Sequence, residues 1–161
     1  MALTTAQLAT LKADILADGT LNAQPNNSDG AFTIATAYNL AAAPAFTVWK
    51  TNVSINDVGK KFNGAELAGL TTGNQGRLQT LAAYLASGVN PSLIDNRLFF
   101  DDVFSGAGGA NTRANLLALW KRLATRGEKL FATGTGSDPS PATLTFEGNL
   151  NYQDVLTARN S

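Results

Sequence analysis

Apolar residues in this chain recur at helical spacing in short bursts, and each burst is closed by a turn signal. In residues 3–18, Leu8, Leu11, Ile15 and Leu16 supply one apolar face. Thr4 and Gln7 have the spacing of a capping box, and Leu3 and Leu8 that of a hydrophobic staple. Gly19 is the expected stop. The run LNAQPNNSDG is turn chemistry. A second helix is predicted after Asp29, with Ala31, Ile34, Ala35 and Tyr38 at i, i+3, i+4, i+7. AFTVWKT fits either a short helix or an extended piece that buries Phe46 and Trp49.

Two short helices are predicted over residues 54–61 and 63–70. Each begins with a cap residue and an acid three positions on, Ser54/Asp57 and Asn63/Glu66. Thr72 and Gln75 open a longer helix carrying Leu78, Leu81, Ala82 and Leu85, which Gly88 ends. Asn90-Pro91 reads as a cap followed by proline at the first helical position. The helix it starts has two apolar stripes, Leu93, Phe100 and Phe104 on one and Ile94 and Leu98 on the other, so it is expected to be sandwiched. SGAGGA then forms a tight or mobile hinge.

Residues 111–131 carry the densest helical signal, with Leu116, Trp120, Leu123, Leu130 and Phe131 near one face. Thr125 and Glu128 form a further capping box inside this stretch and predict a break near Ala124. Beyond GTGSDPSP, TLTF and LNY alternate in the manner of strands around Gly148-Asn149, a two-residue hairpin signal. Its apolar positions are Leu144, Phe146, Leu150 and Tyr152, and its edge is a candidate inter-subunit contact. QDVLTAR is expected to close the chain as one helical turn.

The expected fold is therefore mainly α: a compact bundle of short helices with a C-terminal β-hairpin or extended arm. Residues 1–133 form the helical domain, and residues 134–161 a linker, hairpin and tail packed on the same or a neighbouring subunit. At 161 residues, such a chain can bury about 70% of the surface its unfolded form exposes.

Composition narrows the function. The 12 basic and 12 acidic residues balance, which argues against a generic nucleic-acid or membrane-surface binder. There is no cysteine and no histidine, so thiolate chemistry, sulfur-ligated zinc and the commonest general base are excluded. The first residues lack the basic leader and apolar run of a signal peptide, and no apolar stretch nears the ~20 residues that span a bilayer. A cytoplasm-like setting, or an assembly built there, is expected.

The glycine-rich runs lack the context of a phosphate loop or a dinucleotide site. Asp95, Asp101 and Asp102 do not make a metal or acid/base pair, since adjacent helical residues point about 100° apart. No catalytic, cofactor or metal residue is assigned, and no enzymatic activity is expected. The strongest candidate surface is the basic set Arg113, Lys121, Arg122, Arg126 and Lys129. It reads either as an ordinary solvated face or as a contact with an acidic neighbouring subunit or passing DNA.

The strings AFTVWKT, NPSL, FDDVFSGAGGANTRANLLALWKRLATRGEKLFATGTG and PATLTFEGNLNYQDV resemble a family of small proteins encoded by tailed bacteriophages among their virion structural genes. The resemblance covers most of the chain and is strongest over residues 90–155. It implies a virion structural protein, without enzymatic activity, assembled in the host cytoplasm. Within the particle the expectation is a head–tail connector, an adaptor ring subunit below the portal. Its partners would be copies of itself, the portal and other neck or tail proteins, with a non-specific contact to packaged DNA and none to a membrane. The alternatives are a capsid-decorating or tail-completion protein and, from another class, a small DNA-binding regulator.

Overall fold

The computed structural model describes residues 2–84 and 87–161. In chain order the elements are α1 (Thr5–Ala17), α2 (Gly19–Asn22), α3 (Ser28–Tyr38), β1 (Thr47–Trp49), α4 (Ile55–Gly59), α5 (Gly64–Ala68) and α6 (Thr72–Tyr84). There follow α7 (Ile94–Val103), a 3-10 turn (Ala107–Gly109), α8 (Ala110–Trp120), β2 (Lys121–Leu123), α9 (Arg126–Phe131), β3 (Ala132–Thr133), β4 (Thr143–Leu144) and α10 (Tyr152–Asn160). The protein is mainly α, as its periodicity predicts. It divides into two compact units: unit 1 is Met1–Val48 with Leu123–Ser161, and unit 2 is Trp49–Arg122. The sequence pattern suggests a boundary at 133/134 instead.

In unit 1, α1 opens on the Thr4/Gln7 capping box and buries Leu11 and Ile15. Leu16 is exposed instead, because it lies off the face those two residues share. Gly19 does not lead into a loop. The Asp18 carboxylate accepts from the Thr20 and Leu21 N–H groups at 3.0 and 3.1 Å, so the break in α1 caps α2 directly. Asn27 caps α3, whose Ala31, Ile34, Ala35 and Tyr38 are all buried. Gly30 is required there, since a Cβ would lie 2.0 Å from the Pro25 carbonyl oxygen.

The hairpin expected around Gly148-Asn149 is corrected. β4 pairs antiparallel with β3, Ala132 opposite Leu144 and Thr133 opposite Thr143, so the GTGSDPSP loop is the connection and LNY is not an arm. The decisive local signal is a third capping box, Asn151/Asp154, which starts a nine-residue helix at Tyr152. Just before it, the Leu150 N–H donates to Asn39 Oδ1 and its carbonyl accepts from Asn39 Nδ2, both at 2.9 Å. The segment therefore packs within its own chain. Phe146, Leu150, Val155 and Ala158 join Leu11, Ile34 and Tyr38 in one core, and α10 lies against α1 and α3.

In unit 2, Phe100, Phe104, Leu116 and Trp120 form the core with Val58 and Val89. The Phe100 and Trp120 rings lie 5.5 Å apart, and those of Phe62 and Phe104 5.2 Å. Ser54 and Asn63 cap α4 and α5 as predicted. Leu78 and Leu81 of α6 pack against the core. Leu85, expected on the same face, lies outside the described residues. Helix α7 starts three residues beyond Pro91, because Asn90 Oδ1 accepts from the N–H and hydroxyl of Ser92 and holds a turn there.

The two stripes of α7 part company: Phe100 and Phe104 are buried, whereas Ile94 and Leu98 are exposed, so the helix is not sandwiched within its unit; Leu93, expected on the buried stripe, precedes the helix and is exposed. The glycine-rich hinge is a 3-10 turn closed by Gly109, where a Cβ would meet the Phe104 carbonyl oxygen at 2.0 Å. The predicted break in residues 111–131 is present, with the helix ending at Trp120 and the Thr125/Glu128 box opening α9. Leu123 sits in the break and is exposed, which removes it from the expected apolar face.

Candidate functional site

The five basic residues fall in different surroundings. Arg113, Lys121 and Arg122 belong to unit 2, Arg126 and Lys129 to unit 1. Arg126, in the first turn of α9, bonds through Nη2 to Asp14 Oδ2 at 3.1 Å and to Asp18 Oδ2 at 3.0 Å. Its guanidinium also lies 4.7 Å from the Tyr38 ring centroid. Both carboxylates come from the same unit, Asp14 from α1 and Asp18 from the residue that follows it. Burial pulls the Arg126 pKa down, but the Asp18 and Asp14 carboxylates outweigh it and raise it overall. Asp18 is held below the ordinary carboxylate range, by the Leu21 N–H first and by Arg126 next. Lys129 places its ammonium 5.6 Å from the Phe46 ring centroid. Arg126 and Lys129, with Asp14, Asp18 and the exposed Leu40, line a cleft of about 570 Å³ in unit 1. Its charges are matched, two of each sign, and its main polar contacts are internal.

Arg113 projects from α8 back onto the turn that precedes it. Its Nη1 donates to the carbonyls of Phe104 and Gly106, the latter at 2.9 Å. It forms part of a second cleft, of about 490 Å³, together with Trp49, Arg97, Asp101, Leu117 and Trp120. Arg97 lies over the Trp49 ring at 4.0 Å from its centroid and donates to the Pro91 carbonyl. Burial lowers the Arg97 pKa, against the pull of nearby Asp101. Trp120 is 2% exposed, and its Nε1 is the one buried side-chain nitrogen or oxygen among the described residues without a hydrogen-bond partner. Lys121 and Arg122 follow it in β2, half-buried.

The hairpin candidates are dispersed. Phe146 and Leu150 are core residues, Leu144 is half-buried in β4, and Tyr152 is an exposed residue at the start of α10. Asp102 pairs with Arg77 at 2.6 Å, and no group of His, Asp or Glu residues suited to a metal occurs among the described residues. No helix among the described residues is long and apolar enough to cross a membrane.

Two features escaped the sequence reading. The cleft around Arg97 and Trp49 joins residues 48 apart in the chain, and no spacing rule links them. The outer stripe of α7 was visible as a pattern, but its exposure was not. Ile94 and Leu98 are 58% and 53% exposed. No protein-family model matches the chain, and neither curated proteins nor solved structures yield a match.

Proposed function

We propose that this chain is a virion structural protein of a tailed bacteriophage, and that it acts as a head–tail connector. In this reading it is an adaptor subunit, ringed with its own copies below the portal and touching the other neck and tail proteins. The observation that carries the reading is the outer face of α7. A helix that buries Phe100 and Val103 on one side normally shows polar residues on the other. Here Ile94 and Leu98, one turn apart on the helix, are exposed instead, and an exposed apolar stripe marks a protein contact. A cyclic ring needs two different surfaces per subunit, and the α7 face would be one of them. With no histidine or cysteine and with Arg126 engaged by Asp14 and Asp18, contact is a better fit to these residues than catalysis.

The test is mass spectrometry of purified particles. A connector is expected at about a dozen copies per particle, as befits a closed ring. Several hundred copies would move the protein to the capsid surface, and its absence from particles would overturn the proposal.

A further inference from the structure

We infer that the cleft of unit 2 is a socket for one acidic side chain, an Asp or Glu presented by a partner protein chain between apolar neighbours. The inference rests on the contact-protein reading above and names the chemistry of one contact. Two observations converge on it. First, the lining holds two guanidinium groups, Arg97 and Arg113, and one carboxylate, Asp101, so the wall carries an unmatched positive charge. One incoming carboxylate balances it. Second, both guanidinium groups are held in place by bonds from Nη1 to backbone carbonyls, of Pro91 for Arg97 and of Phe104 and Gly106 for Arg113. A guanidinium carries five N–H donors, and those beyond Nη1 form the edge that receives a carboxylate.

The remaining wall decides between carriers of that carboxylate. Trp49, Leu117 and Trp120 give the cleft an apolar side suited to a side-chain stem and its neighbours. At about 490 Å³ the cleft is far larger than a single inorganic ion and within the range of sites for organic groups. A nucleic-acid strand is disfavoured by Asp101, which would face phosphate, and by the single net charge.

The chain's only two tryptophans, Trp49 and Trp120, both line this cleft, so the intrinsic fluorescence of the full-length protein reports on it. The probes are the peptide acetyl-Ala-Leu-Glu-Leu-Ala-amide, its glutamine counterpart, glutarate and inorganic phosphate. A saturable change with the glutamate peptide is expected, with the glutamine peptide weaker by about tenfold, the usual worth of a charge-assisted hydrogen bond. D101N should tighten the glutamate peptide, because it removes the competing carboxylate. Equal response to the two peptides, or to neither, overturns the inference. Saturation by phosphate or glutarate at the peptide's concentration also overturns it, in favour of a small-anion site. An affinity for the glutamate peptide that is unchanged or weakened in D101N counts against the socket. Peptide binding by a protein absent from particles would overturn the phage reading only. Particles that contain the protein, with no peptide binding, would overturn the socket only.

Discussion

The Tyr38 hydroxyl donates to Asp14 Oδ2 at 2.5 Å, joining the last turn of α3 to α1 inside unit 1. Tyr38 is fully buried, so Tyr38→Phe removes this bond with little change of shape. The expected loss is about 1.5–3 kcal/mol, the range for a hydrogen bond to a charged group. Burial, and then the Asp14 carboxylate, raise the Tyr38 pKa above its ordinary 10.0. The folded state therefore binds this proton more tightly than the unfolded chain. The stability it contributes is complete below pH 10.0 and fades as the pH rises above that. Urea melts from pH 8 upward should show a flatter alkaline decline for Y38F than for the wild type. Parallel curves would mean that Tyr38 does not titrate with unfolding.

Acid should act through a different group. Glu66 of α5 accepts from the Asn111 N–H at 2.9 Å and the Thr112 N–H at 2.7 Å, and so caps α8 from another helix. Burial pushes its carboxyl up, but the bonds from Thr112 and Asn111 outweigh that and hold it below its ordinary 4.5. The stability it adds is complete well above pH 4.5 and is lost as the pH falls through and below that value. Glu66→Gln should lower the melting temperature at pH 7 and shrink the gap to the wild type on acidification. A gap that widens in acid would contradict the assignment.

Two residues of residues 111–131 should part sharply. Trp120→Ala empties a buried aromatic site and is expected to cost about 3–5 kcal/mol. Leu123→Ala, at an exposed position in the break, should stay within about 0.5 kcal/mol of the wild type. Denaturant titration of the two variants measures both. Equal effects would place the two side chains in similar surroundings.

Arg126→Glu sets a third carboxylate beside Asp14 and Asp18. The melting temperature of the isolated protein should fall, and the fall should shrink in high salt. An unchanged melt for R126E would show instead that the guanidinium is dispensable to unit 1 and free for a partner.

Ile94→Glu with Leu98→Glu alters only the exposed stripe of α7. The purified double variant should melt within about 0.5 kcal/mol of the wild type, as surface changes usually do. Particle yield should nevertheless drop. Normal yield would remove α7 from the assembly surface.

Capping chemistry was the most legible layer of this sequence. The boxes at Thr4/Gln7 and Thr125/Glu128 mark helix starts within a residue, because the signal is local and its partners are three positions apart. The same logic applied to Asn151/Asp154 would have replaced the expected strand with α10. The Gly148-Asn149 pair, a strong hairpin cue, hid it. Tertiary bonds decide that turn: the Gly148 N–H donates to the buried Glu128 carboxylate at 3.1 Å, and Asn39 holds Leu150. The periodicity of α3 gave its core face fully, whereas that of α7 could not say which of two stripes was covered. For the basic set, the sequence showed charge but not the opposite charge. Asp14 and Asp18 lie over a hundred positions before Arg126, a separation that no window along the chain spans.

The interrupted first unit has a consequence for synthesis. Helices α1 and α3 leave the ribosome early, with Leu11, Ile15 and Ile34 waiting for a cover that α10 supplies last. Unit 2 has all of its chain once Arg122 has emerged. A nascent polypeptide stalled there would hold a complete second unit while two helices of the first still expose oil to water, a state in which chaperone capture competes with folding.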